Sequence, residues 1–153
     1  MVARRRGRIV NLTSHAGVFR WPLASAYSVA KAAVIKFTEN LGHETKRYGI
    51  GVFSVHPGIL PIGLSEPALA STAPADSPEG RLREWVRREL ATGRGAKPHQ
   101  VAELLLRVAT GQADQLSGRH LSVHDDLDTL LSRTEDVLRD DLHLLRLRSL
   151  SSD

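Results

Sequence analysis

Cysteine is absent from the 153 residues, which excludes a disulfide scaffold and any cysteine-ligated zinc or iron–sulfur site. No stretch approaches the ~18 unbroken apolar residues that a membrane-spanning helix needs. Four arginines fall within the first eight residues, but no apolar run follows them to make a signal peptide. These absences lead us to expect a cytoplasmic protein with no membrane partner. Lysine is scarce: the 21 basic residues are 17 Arg and 4 Lys, and the net charge is +4. A field that mild over a chain this long argues against a nucleic-acid partner despite the basic isoelectric point. The apolar content, 41%, is that of an ordinary globular protein and excludes a disordered or collagen-like chain. The length fits one domain.

What is present alternates between strand-like and helix-like patterns. After the basic lead-in, residues 9–13 (Ile-Val-Asn-Leu-Thr) form a short β-prone run that predicts a mostly buried strand. Residues 14–17 leave it as a loop, which Trp21 and Pro22 continue. Ser25 is a candidate N-cap for one long helix reaching Tyr48, with Ala30, Val34, Phe37 and Leu41 spaced to share its buried face. Gly49 stands where a left-handed C-cap is needed. Residues 51–55 predict a second strand, ending at His56-Pro57-Gly58. A connection this long between strands implies a parallel crossover. Residues 59–78 have no clear period and predict a long loop with at most one short helical turn; such loops are usually lids or binding loops. A charged helix over 81–90 carries Leu82, Trp85, Val86 and Leu90, and Trp85 is a candidate lid anchor or core contact. Pro98 opens a helix with Val101, Leu104, Leu105 and Val108 on its apolar face. Residues 118–123 predict a third strand. Asp125 and Asp126 open a helix with acid in its first turn, in which Leu127, Leu130, Leu131 and Leu138 keep the period. A leucine-rich tail, 142–150, closes the chain.

Three parallel strands with intervening helices predict an α/β fold, part of a doubly wound, Rossmann-like parallel sheet. The first strand has no upstream partner in this chain, and an open edge is a liability that proteins cover. Either a further N-terminal half or a second copy of the chain in a homo-oligomer would cover it.

Tyr27 and Lys31, four residues apart, stack on one face of the long helix. A free phenol holds its proton at neutral pH, and an ammonium beside it favours the phenolate. The pair is therefore a reasonable general acid/base unit. Ser14 lies at the C-terminal end of the first strand, where an open parallel sheet borders its ligand crevice.

The order Gly7 to Ser14, Tyr27, three residues, Lys31, then a strand ending in Pro57-Gly58 resembles the C-terminal half of a short-chain dehydrogenase/reductase. That family places a serine after its fifth strand, Tyr-x-x-x-Lys on the following helix, and Pro-Gly after its sixth strand. The resemblance covers about residues 4–125, with about 126–153 as a C-terminal helical extension. It implies an NAD(P)-dependent oxidoreductase that interconverts a carbonyl and an alcohol on a small-molecule substrate. On that resemblance, Tyr27 would exchange a proton with the substrate oxygen. Lys31 would favour the phenolate and hydrogen-bond the nicotinamide ribose. Ser14 would orient the substrate oxygen. Pro57 and Gly58 would line the nicotinamide, and the backbone near Leu60 would bond its carboxamide.

Two departures stand out. Where the family commonly has a threonine, this chain has Ile62. The Gly-rich loop that would receive the pyrophosphate of NAD or NADP at a helix N-terminus is absent from these residues, so the choice between the two cofactors is not encoded. The alternative expectation is therefore a truncated, catalytically silent fragment or an assembly partner. The remaining signals are weaker. The 4–8 arginine run predicts a solvated lead-in. His120, His124, Asp125, Asp126 and Asp128 suggest a helix start rather than a metal site.

Overall fold

The computed structural model describes residues 1–21, 24–63, 65–93 and 95–149. Pro22, in the expected loop, and Leu150, in the expected tail, lie outside the described residues. Three strands, β1 (Gly7–Leu12), β2 (Ile50–His56) and β3 (His120–Ser122), form one sheet in the order β1-β2-β3. Both pairings are parallel, with Gly7 opposite Ile50 and Ser54 opposite His120. The crossover from β1 to β2 is α1 (Ser25–Thr45), continued by a 3-10 turn over Lys46–Tyr48. The crossover from β2 to β3 contains α2 (Ser65–Ala70), α3 (Pro78–Ala91) and α4 (Pro98–Thr110). Two short helices, α5 (Leu127–Ser132) and α6 (Thr134–Arg139), follow β3.

Strand alternation divides the sheet into two faces. Phe53, Val55 and Leu121 point into the main core, which Leu104 and Val108 of α4, Leu127 of α5 and Val137 of α6 complete. On the opposite face, Asn11 of β1 donates from Nδ2 to Thr38 Oγ1 of α1 at 2.9 Å. All seven residues of β2, the central strand, are buried.

Several expectations are corrected. β1 is half-buried rather than mostly buried, because among the described residues it is the sheet's edge and pairs only with β2. Ser25 is not the N-cap of α1; Ala24 holds that position, with no side-chain cap bond. The buried face of α1 is Ile35, Thr38 and Gly42, while Phe37 is 56% exposed and Ala30 faces solvent. The charged helix begins earlier, at Pro78, because Ser77 caps it by accepting from the Gly80 amide at 3.0 Å. The C-terminal helix breaks at Arg133, whose φ of −114° leaves helical geometry.

The described part of the tail is not helical. It runs beside β3, where the His120 amide donates to the His143 carbonyl at 2.9 Å. Arg146 anchors it further, to Glu39 of α1 at 2.8 Å and to Asp141 at 3.0 Å. In the basic lead-in, Arg8 makes a two-point contact with Asp114, at 2.8 and 2.6 Å, tying the start of β1 to the approach to β3. The third strand is shorter than expected, His120–Ser122, and the α-helix of α1 ends at Thr45 rather than Tyr48; Gly49 is left-handed at φ 64°, and Val101, Leu104 and Val108 are buried on α4 as expected.

Candidate active site

The C-terminal ends of β1 and β2 open into a cavity of about 950 Å³. Ser14, Tyr27, Lys31, Pro57, Gly58 and Leu60 all line it, so every residue assigned a site role from the sequence faces one space. Ser14 is buried and extended, and it caps a 3-10 turn over His15–Gly17 by accepting from the Ala16 amide at 3.1 Å. That turn sits directly against α1. A Cβ on Gly17 would lie 2.7 Å from the Ala32 amide nitrogen and from the Lys31 carbonyl carbon. Only glycine permits this approach, which brings the serine loop to the helical turn that carries Lys31.

Lys31 Nζ donates to the Leu12 carbonyl at 3.1 Å, fixing the ammonium at the end of β1. It lies 5.6 Å from the Tyr27 ring centroid, within cation–π range. Tyr27 is 41% exposed and presents its ring to the cavity. Gly58 has a φ of +76°, and a Cβ there would lie 2.6 Å from the Ala96 side chain. Its left-handed backbone turns the chain sharply out of β2 and lets it pack closely against Ala96.

Three histidines border the same space, and sequence reasoning assigned none of them to it. His15, His56 and His124 all line the cavity. The His15 and His56 rings are 3.9 Å apart, and His56 and His124 are 6.2 Å apart. Burial, with smaller contributions from His15, His120 and His124, pushes His56 down to about 3. His15 is lowered too, chiefly by burial. Burial therefore favours the neutral imidazole at both His15 and His56. Their positions carried a usable signal: His15 follows Ser14 and His56 precedes Pro57, both at strand ends that border the crevice. His120 lies behind them, with Nδ1 3.2 Å from Thr13 Oγ1 and 3.1 Å from Ser54 Oγ. Among the described residues, no group of three or more His, Asp or Glu is placed to hold a metal ion.

The far wall is apolar. Trp21 and Trp85 meet edge to face with centroids 4.4 Å apart, and Leu60, Ile62, Leu82 and Val86 continue the surface. Trp85 thus lines the cavity, packed against Trp21.

Comparison with known proteins follows the same lines. Residues 1–70 match the family model for short chain dehydrogenase. The chain is 32% identical over 124 residues to a putative ketoacyl reductase of monensin polyketide synthase from Streptomyces virginiae, covering 80% of this chain and 48% of that protein. It is 35% identical to a sorbitol-6-phosphate 2-dehydrogenase from Klebsiella pneumoniae, covering 77% and 46%. Among solved structures, an actinorhodin polyketide ketoreductase with NADPH superimposes with a TM-score of 0.63 at 28% identity, over 80% of this chain and 48% of that one. The chain belongs to the short-chain dehydrogenase/reductase family of oxidoreductases. It spans about half the length of the curated relatives it matches. No helix among its described residues is long and apolar enough to cross a membrane.

Proposed function

We propose that this chain carries the proton-transfer and nicotinamide-facing part of an NAD(P)-dependent oxidoreductase site acting on a carbonyl/alcohol pair. The supporting observation is the convergence of Ser14, Tyr27 and Lys31 on one cavity at the sheet's C-terminal edge, with Lys31 tethered to the end of β1. The nicotinamide end of the cofactor fits the residues present. Lys31 would reach its ribose, and the ring would lie against Pro57 and Gly58, which line the cavity. The bound cofactor supplies or accepts the hydride. Tyr27 holds the proton that passes to the substrate oxygen during reduction and takes it back during oxidation. Lys31 stabilises the phenolate left behind. The Ser14 hydroxyl, already accepting from the Ala16 amide, keeps its own proton free to donate to the substrate oxygen and stabilise charge developing there. The relatives' names span ketoacyl groups and a sugar phosphate, so membership of the family leaves the substrate open.

The test is steady-state oxidation of NADH and NADPH on a panel of carbonyl compounds. It uses this chain fused behind the corresponding N-terminal part of the 32%-identical ketoacyl reductase. Carbonyl-dependent turnover that Ser14→Ala lowers is expected; a fusion that folds and binds nucleotide but reduces nothing argues against the reading.

A second reading, a silent fragment or assembly partner, is favoured by one feature: these 153 residues contain no Gly-rich phosphate loop. On its own the chain should bind NAD(H) and NADP(H) weakly or not at all, since no helix N-terminus is built to receive the pyrophosphate. Calorimetric titration checks this, and micromolar affinity for either nucleotide would contradict it.

A further inference from the structure

We infer that the cavity selects a neutral carbonyl compound with a bulky hydrocarbon body, gripped between the Trp21–Trp85 pair and the apolar surface of Ile62, Leu82 and Val86. The inference rests on the oxidoreductase reading above, and it names the substrate class that reading leaves open.

The cavity is chemically two-ended. Ser14, Tyr27 and Lys31 gather at the strand ends, while the opposite wall is built from indole and aliphatic side chains. Much of that wall is uncovered: Ile62 is 51% and Leu82 44% exposed, and both tryptophans are only half-buried. Apolar surface left open inside a concave site is what a hydrocarbon ligand covers, at ~25 cal/mol per Å² removed from water. Ile62 sharpens the point, because a hydrogen-bonding side chain there would have offered a polar substrate a partner.

The wall is also held in place. Arg83, on the same helix as Trp85, donates from Nη1 to the carbonyls of Ser71 and Ala73 at 2.7 and 2.9 Å. The Ala96 amide donates to the Ile59 carbonyl at 2.9 Å. These bonds fasten α3 to the segment that precedes it and the loop after β2 to the segment that follows α3. Trp85 is thereby presented by an anchored helix, and Trp21 packs edge to face against it.

Charge points the same way. Lys31 and Glu89 are the formally charged residues among those described around the cavity. Lys31 already donates to the Leu12 carbonyl beside Tyr27, and Glu89 on the α3 side is itself an anion, ion-paired with Arg88 at 3.9 Å. Burial favours the neutral His15 and His56 imidazoles, which add no cation for a phosphate or carboxylate. Along the indole and aliphatic wall an anionic group would lose its hydration without gaining a partner.

The chain contains two tryptophans, Trp21 and Trp85, and both line this cavity. Intrinsic fluorescence of the unmodified 153-residue chain therefore reports directly on the site. Titration with decalone, a saturated two-ring ketone whose carbonyl absorbs only weakly where indole does, is expected to give a saturable change after correction for that absorption. Sorbitol 6-phosphate, the anionic comparator, is expected to give none over the same range. Ile62→Asp, a change at a half-exposed position, should weaken decalone binding by about tenfold or more by placing a charge against the hydrocarbon. Its far-ultraviolet circular dichroism should be unchanged. A saturable response to sorbitol 6-phosphate, a flat response to decalone, or undiminished decalone binding by folded Ile62→Asp would each overturn the inference. The titration needs neither nucleotide nor turnover. An active fusion with a flat decalone response therefore removes the apolar-substrate inference alone, whereas decalone binding with an inactive fusion removes the oxidoreductase reading.

Discussion

Lys31 occupies the junction of three features: the end of β1, the face of Tyr27 and the cavity. Its ammonium is directed by a backbone carbonyl, so its position depends little on neighbouring side chains. The proposed function gives Lys31 two duties, favouring the phenolate and holding the ribose. In the fusion described above, Lys31→Ala should therefore lower kcat and raise KM for the nucleotide together. Lys31→Arg should restore only part of either, because a planar guanidinium fork cannot replace a compact ammonium at a single carbonyl. Steady-state kinetics checks this. If the pair were merely a helix-surface contact, both variants would show near-normal kinetics and stability losses within about 0.5 kcal/mol.

Among the elements, the strand ends carry an acid-sensitive feature. His56 and His120 are buried, and Nδ1 of the first and Nε2 of the second find no hydrogen-bond partner among the described residues. His56 is pushed down to about 3 and His120 to about 4, in both cases mainly by burial. In the unfolded chain the same groups take up protons near their ordinary value of about 6.5. Between that value and the folded ones the unfolded state binds more protons, so stability falls as pH falls. Denaturant melts should show a level plateau above about pH 7, then a loss approaching about 1.4 kcal/mol per pH unit for each histidine as the pH drops toward 4. His120→Gln should flatten that slope, and a profile level down to pH 4 would contradict the assignment.

How far the elements were legible depended on what packs against them. The apolar face of α4 was plain because large side chains, Val101, Leu104 and Val108, fill the core. The buried face of α1 was not, because close packing there calls for small and polar groups. A Cβ on Gly42 would lie 2.8 Å from the Gly118 Cα, and Thr38 is buried to bond Asn11. Counting apolar residues therefore selected Phe37, which faces outward. The break at Arg133 was hidden for a different reason. Leu127 and Val137 would point about 80° apart on one straight helix, yet both enter the same core. Ser14, Tyr27, Lys31 and Pro57-Gly58 were legible as a spaced pattern, whereas the histidines and the Trp21–Trp85 wall required the fold to bring distant segments together.

At the scale of the whole molecule, the described sheet ends at β1, which pairs on one side only. Leu12 on that strand is 53% exposed, and Val29 and Phe37 on α1 are 69% and 56% exposed. An open strand edge beside exposed apolar side chains invites pairing with another chain. The isolated chain should therefore self-associate, with a sedimentation coefficient that rises with concentration. A compact monomer at high concentration would show that the edge is protected. The same geometry explains why chemistry and cofactor affinity can be tested separately: the residues proposed for proton transfer lie on α1 and on the loop between β1 and α1, while the 153 residues hold no phosphate loop.

The most direct test of the account is Tyr27→Phe in the fusion to the ketoacyl reductase N-terminal part, assayed for carbonyl reduction under saturating nucleotide. The substitution removes one hydroxyl from a partly exposed ring, so the fold and its stability should be unchanged. Turnover should fall by about 10²–10⁴-fold, the usual worth of a positioned proton donor. Undiminished turnover by the folded variant would remove Tyr27 from the mechanism and contradict the account.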